Sequence, residues 1–236
     1  MRNCGILTNR GKETPPKGRV SRLEQGIEGM SEFAAADAEL DVKTEAIVAA
    51  ARKTFLTRGF DSASMDQIAL VAGVSKRTVY NRFRSKEELF GAAITESCKN
   101  LLPVDVDDIE ASLPPEALIR ALGRQFLQGV LQPEVLALRR IATFEAGRNP
   151  AIGLTYLEHG SKWMAKKYAP ILARLAARGA YRIDDPEDAI WQLGALISEP
   201  LYTRVLLGDV PDDLDDAIDR QIDQGVNAFK KIYAPA

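Results

Sequence analysis

From Asp41 onward apolar residues return at helical intervals, and no stretch alternates with period two for long enough to predict a strand. Ile47, Ala51 and Phe55, with Val48 and Leu56 beside them, recur at i, i+4 spacing and predict an amphipathic helix that Gly59 stops. Ser64-Met-Asp-Gln67 has the form of a capping box, in which serine and glutamine side chains satisfy free backbone amides at a helix start. Met65, Ile68, Ala69 and Ala72 give that helix its inner face. Gly73 follows where a left-handed turn residue is needed, and Ser75 opens the next helix. Ser85-Lys-Glu-Glu88 repeats the capping pattern, with Leu89, Phe90, Ala93, Ile94, Ser97 and Leu101 on the buried side of the helix that it starts.

Beyond Pro103 the punctuation is proline in first helical turns, where the missing amide has no intrahelical partner to lose. Pro115, Pro133, Pro150, Pro186 and Pro211 mark five more helices. The last carries Leu214, Ile218, Ile222, Val226, Phe229 and Tyr233 on one stripe, with aspartates at its start and Lys230-Lys231 at its end, as the helix dipole favours. The chain therefore reads as all-α, with about nine helices.

Composition narrows the class. At 236 residues, 46% hydrophobic and 27% charged, the chain has ordinary globular composition and length for one large or two modest domains. Its longest uninterrupted apolar run, Ala46 to Ala51, is far short of a bilayer span, and no apolar stretch follows the basic N-terminus as a secretory signal requires. Two cysteines, Cys4 and Cys98, build no disulfide framework, so the expected setting is reducing and cytoplasmic. Residues 1–40, rich in Gly and Pro with no sustained period, predict a disordered arm. Within it, Met30 is an alternative start, and a basic arm touching nucleic acid is the functional alternative.

Charge then divides the remainder. The whole chain carries -2, yet residues 41–102 hold a surplus of three positive charges and residues 103–236 an excess of five negative ones. Five of the eleven residues from Lys76 to Lys86 are basic and none is acidic. That balance predicts a polyanion-binding module over 41–102, carried by a body over 103–236 with another task. Residues 64–83 supply the geometry: two short helices joined by Ala72-Gly73-Val74 have helix-turn-helix spacing, the second helix of which enters the DNA major groove. Lys76, Arg77, Asn81, Arg82, Arg84 and Lys86 would then face phosphates or base edges, while Val74, Val79 and Phe83 hold the helix to the core. Tyr80 places its ring on protein and its hydroxyl toward a phosphate. A merely solvated basic face is the plainer reading, and the coincidence of two capping boxes with a glycine turn in register argues against it.

On these residues the sequence resembles the TetR (tetracycline-repressor-like) family of bacterial transcription regulators. The stretch from Lys43 to Ser97, centred on GFDSASMDQIALVAGVSKRTVYNRFRSKEELF, matches that family's N-terminal pattern nearly throughout. The resemblance implies a three-helix DNA-binding domain, a linking helix, a homodimer, and repression relieved by a small molecule. It implies phosphate contacts from Ser64, Lys76, Thr78, Tyr80 and Lys86, with Ser75 and Arg82 counted in the same surface, and base readout by Arg77 and Asn81. Ala63 and Arg77 depart from a frequent threonine and a frequent glycine, which puts one backbone contact in doubt and adds one candidate reader. GRNPAIGLTYLEHG, LARLAARGAYRIDDPEDAIWQLGALI and LLGD look like the bodies of an AefR-like subgroup.

Two expectations concern the body. One short helix reads few base pairs, so two copies about one DNA turn apart are required, on a palindromic operator. Helices over 186–207 and 211–233 are expected to pair with their two-fold mates through Ile190, Leu193, Ile197, Leu201, Ile218, Ile222 and Phe229; packing within the chain is the alternative. Pro170 and Pro200 interrupt helical stretches and favour kinks. Phe126, Phe144, Tyr156, Trp163, Trp191 and Tyr202, with His159, Glu145 or Glu199 as polar handles, are expected to line an effector pocket, although each aromatic also fits plain core. An effector there would tilt the linking helix, 85–102, and reset the spacing of the two reading helices. With one histidine, no Cys-x-x-Cys pair and no glycine-rich phosphate loop, neither an enzyme nor a metal site nor a cofactor is expected. A non-specific architectural DNA binder is the other rival.

Overall fold

The computed structural model describes residues 21–99, 101 and 113–235, with side chains from residue 42 onward, and every regular element among them is a helix. Chain contacts separate Met1–Lys43 from Thr44–Ala236 as two units. Residues 21–40, expected in a disordered arm, are helical and open α1 (Ser21–Ser62); alanines and glutamates of high helix propensity outweigh Gly26 and Gly29. Residues 1–20 of that arm, and the expected boundary at 102–103, lie outside the described residues. Gly59, at φ +77°, breaks the helical path of α1 as its residue type foretold.

Three further helices complete the N-terminal part: α2 (Met65–Ala72), α3 (Lys76–Arg82) and α4 (Lys86–Lys99). Ile47, Phe55, Ile68, Val79, Leu89 and Phe90 close over one another there without solvent exposure. Phe55, Phe60 and Phe90 form an aromatic cluster with centroids 5.2–5.6 Å apart, which locks the end of α1 against α4.

The body contains α5 (Pro115–Val130), α6 (Pro133–Ala146), α7 (Pro150–Tyr156), α8 (Trp163–Ala177), α9 (Pro186–Ser198), α10 (Leu201–Leu206) and α11 (Leu214–Ile232). A π turn over Leu157–Lys162 joins α7 to α8 without a break in direction. Pro115, Pro133, Pro150 and Pro186 stand in first helical turns as expected, and Pro170 lies inside α8. Pro211 does not start a helix. Asp213 caps α11 instead, accepting from the Asp216 amide at 2.9 Å.

The helix expected over 186–207 is two. It breaks at Glu199-Pro200, and Gln221 donates to the carbonyl oxygens of Leu196 (3.0 Å) and Glu199 (2.5 Å) that the break leaves open. Arg140 does the same for the end of α10, donating to Val205 and Leu206. The stripe expected to meet a second copy is turned inward. Leu193, Ile197, Leu201, Ile218, Ile222 and Phe229 are all buried within the single chain, where α11 packs on α9 and α5, and Ile190 is half-buried. An apolar stripe states that a face must be covered, and here the chain's own helices cover it.

Candidate functional site

The N-terminal site is assembled by local chemistry. Ser64 Oγ accepts from the Gln67 amide (3.2 Å) while the Ser64 amide donates to Gln67 Oε1 (3.3 Å), which completes the capping box of α2. Gly73 ends that helix at φ +68°, a conformation that costs other residues strain, and so turns the chain within three residues. Ser75 Oγ accepts from the Thr78 amide at 3.0 Å and starts α3. Val79 is fully buried and Phe83 nearly so. With that side anchored, helical geometry sends Lys76, Arg77, Tyr80 and Asn81 outward, and all four are exposed, Tyr80 to 52%. Ser64, Ser75 and Arg84 are also on or near the surface, and Thr78 is half-buried against Ser75.

Two cations of the expected surface are turned to other work. Arg82 is half-buried; its Nη1 donates to Thr44 Oγ1 at 3.0 Å, and its buried Nε has no hydrogen-bond partner among the described residues. It ties α3 to α1. Lys86 donates to the carbonyl oxygens of Phe60 (2.7 Å), Ala63 (3.1 Å) and Asp61 (3.2 Å), and its Nζ stands 4.3 Å from the centre of the Phe60 ring. An ammonium donates three hydrogen bonds, and here all three are spent on the end of α1. Lys76 is paired with the Asp66 carboxylate, but both side chains are well exposed, so that pair holds weakly. The second capping box is shifted by one residue: Ser85 Oγ accepts from the Glu88 amide, yet Glu88 Oε2 takes the amide of Arg84.

A cavity of about 330 Å³ opens among the helices of the body and the end of α4. Four of the seven expected pocket residues line it, namely Phe126, Tyr156, Trp191 and Tyr202, and so does Glu199. Phe144 is 68% exposed on the outside of α6, His159 faces α4, and neither they, Trp163 nor Glu145 reaches the cavity. Cys98, Arg139 and Tyr168 were not anticipated. Arg139 had a signal: it stands four residues after Val135 on one side of α6, and both line the cavity. Burial pushes the Cys98 thiol up to about 11 and raises the phenols of Tyr156 and Tyr168 further, so all three are neutral there.

The cavity and the N-terminal helices share a connector in α4. Cys98 and Leu101, at the end of α4, line the cavity, as do Tyr156, Gly160 and Ser161 from the π turn and its approach. The π turn in turn packs on α4, where Thr95 Oγ1 lies 3.2 Å from both the Nδ1 and the carbonyl oxygen of His159. Gly91 admits the His159 ring, since a Cβ there would stand 2.7 Å from it. Arg148 reaches from the end of α6 to Asp61 at 3.1 Å.

Among known proteins, residues 47–93 match the family model of bacterial regulatory proteins of the tetR family, and residues 117–235 match the AefR-like transcriptional repressor C-terminal domain. The HTH-type transcriptional regulator YhgD of Bacillus subtilis is 38% identical over 68 residues, 29% of this chain and 36% of that protein. The chain thus spans about a third of the length of that curated relative. The transcriptional repressor AcnR of Corynebacterium diphtheriae is 23% identical over 181 residues, 77% of this chain and 90% of that one. Among solved structures, the flavonoid-responsive regulator FrrA superposes with a TM-score of 0.66 at 34% identity, covering 81% of this chain and 96% of that one. No helix among the described residues is long and apolar enough to cross a membrane.

Proposed function

Because the chain belongs to the TetR family of bacterial regulatory proteins, with an AefR-like C-terminal domain, we propose that it is a transcriptional repressor of a palindromic operator, released by a small apolar or amphipathic effector. The observation that carries the DNA half of this reading is α3: its buried side is Val79, and Lys76, Arg77, Tyr80 and Asn81 project from the opposite side into solvent. Arg77 and Asn81 read base edges; Lys76, Tyr80, Thr78, Ser64 and Ser75 take phosphates. Since α3 has seven residues, two copies act together on half-sites about 34–36 Å apart. The repressor sense is supported by the name of AcnR, and an amphipathic effector by that of FrrA, which is described as flavonoid-responsive.

Release works through α4. An effector in the cavity presses on Cys98 and Leu101 directly and on the π turn that packs against the same helix, which shifts α4 and with it the α3 of each copy. To switch occupancy it must bind the released state more tightly by a few kcal/mol. Selection of bound sites from random DNA with the purified protein, followed by footprinting of the winner, tests the reading. A palindrome with one-turn spacing is expected; equal binding to all sequences would establish the architectural alternative instead.

A further inference from the structure

The cavity carries information about its occupant. Arginines elsewhere in the body hold carboxylates: Arg120 with Asp223, Arg124 with Asp219, Arg204 with Asp209 and Arg220 with Asp216. Arg140 is spent on backbone carbonyls of α10. Arg139, its neighbour, differs. It is half-buried, lines the cavity, and has no carboxylate within ion-pair distance among the described residues; its guanidinium lies over the Tyr156 ring, 5.2 Å from the centroid. Glu199 is the other charged residue of the lining, and it is exposed at the turn after α9.

We propose that the cavity takes an aromatic ligand bearing one acidic oxygen, a phenolate or an aryl carboxylate, which pairs with Arg139. This rests on the reading of the cavity as the effector site and names the class of effector. A guanidinium in a mainly apolar enclosure gains most from an anion that replaces its lost water, and its planar fork matches carboxylate or phenolate oxygens. The contact with Tyr156 holds the guanidinium at the cavity wall in advance. Phe126, Tyr156, Tyr168, Trp191 and Tyr202 supply ring faces and edges on several sides, a surface that complements a flat π-system better than a flexible alkyl chain. Glu199, in the same lining, opposes a second negative charge. The proposal therefore excludes cationic ligands, dianions and simple fatty acids.

Four probes of matched bulk separate the terms: 2-naphthoate, neutral 2-naphthamide, cationic 2-naphthylmethylamine and the aliphatic decanoate, each titrated calorimetrically into the full-length protein. 2-Naphthol, titrated from pH 7 through its own ionisation, distinguishes a phenolate source from a carboxylate one. Naphthoate should bind about 10-fold or more tightly than the amide, as a lost charge-assisted bond implies, and decanoate should bind more weakly than naphthoate. Arg139→Gln should bring naphthoate and amide to within about two-fold of each other while leaving amide affinity unchanged, and Arg139→Lys should keep part of the preference. Thermal melts of both variants establish that they are folded. Equal binding of the three naphthyl probes by the wild type, or a preference that survives in Arg139→Gln, overturns the anion assignment and leaves the cavity as an apolar site. Decanoate matching naphthoate overturns the aromatic part. Failure of every probe to bind overturns the cavity reading and the assignment together.

Discussion

Lys86 donates to the Phe60 carbonyl oxygen at 2.7 Å and holds its ammonium over the ring of the same residue, so one side chain both caps α1 and fixes the start of α4. A cation with three acceptors and a ring face is a structural part. Lys86→Met is expected to lower stability by about 1.5–3 kcal/mol, the worth of hydrogen bonds to a charged group. Urea denaturation measures it. A variant as stable as the parent would return Lys86 to the list of free phosphate contacts.

If α3 is the DNA-contacting helix, its four exposed residues divide by task. Arg77→Ala and Asn81→Ala are expected to change base preference by ~1–3 kcal/mol at particular positions, whereas Tyr80→Ala weakens binding to all sequences alike. Binding to a panel of single-base operator variants separates the two effects. Arg82→Gln should chiefly lower stability, because its Nη1 is engaged by Thr44 at 3.0 Å.

Gly225 lets α9 and α11 meet at backbone distance: a Cβ there would lie 2.5 Å from the Leu196 carbonyl oxygen and 2.8 Å from the Ile197 Cα. Backbone cannot swing aside as a side-chain tip can. Gly225→Ala is therefore expected to cost about 1–3 kcal/mol in the body through overpacking. At Gly194, where nothing lies within 4 Å of the added Cβ, the same change should be tolerated. Paired denaturation curves compare them.

The Cys98 thiol is held neutral by burial, with its ordinary value of 9.0 pushed up to about 11. The unfolded chain releases this proton first, so stability is complete below about pH 9 and declines as pH rises through about 11. Cys98→Ala should flatten that alkaline decline, read from urea midpoints at pH 8 to 10.5. In a Cys4→Ser background, alkylation by iodoacetamide at pH 8 should proceed far more slowly in the native protein than in urea.

Much of this protein was legible in one dimension. Capping boxes, glycine turns and first-turn prolines act over four or five residues, so Ser64, Gly73, Ser75 and Pro186 could be assigned from their neighbours alone, and they stand where that chemistry places them. The same held for α3, whose one buried face fixes the direction of every other residue on so short a helix. A serine cap reaches a few ångströms. Arg82 and Lys86 reach much further, and nothing in a local pattern says whether a long cation turns to solvent or to the carbonyls of another helix.

Tertiary structure alone decided three matters. It set the destination of the apolar stripes on α9 and α11, because periodicity shows that a face must be covered without showing by what, and the chain's own helices cover it. It selected Tyr156, Trp191, Tyr202 and Phe126 for the cavity and left Phe144 outside, since side chains distant in sequence meet only when helix crossings bring them together. It also placed Arg139 among those rings with no carboxylate at ion-pair distance among the described residues. The sequence determined where helices begin and which faces seek cover, through forces that act within a turn or two; packing determined which charges remain free, because that depends on neighbours dozens of residues away.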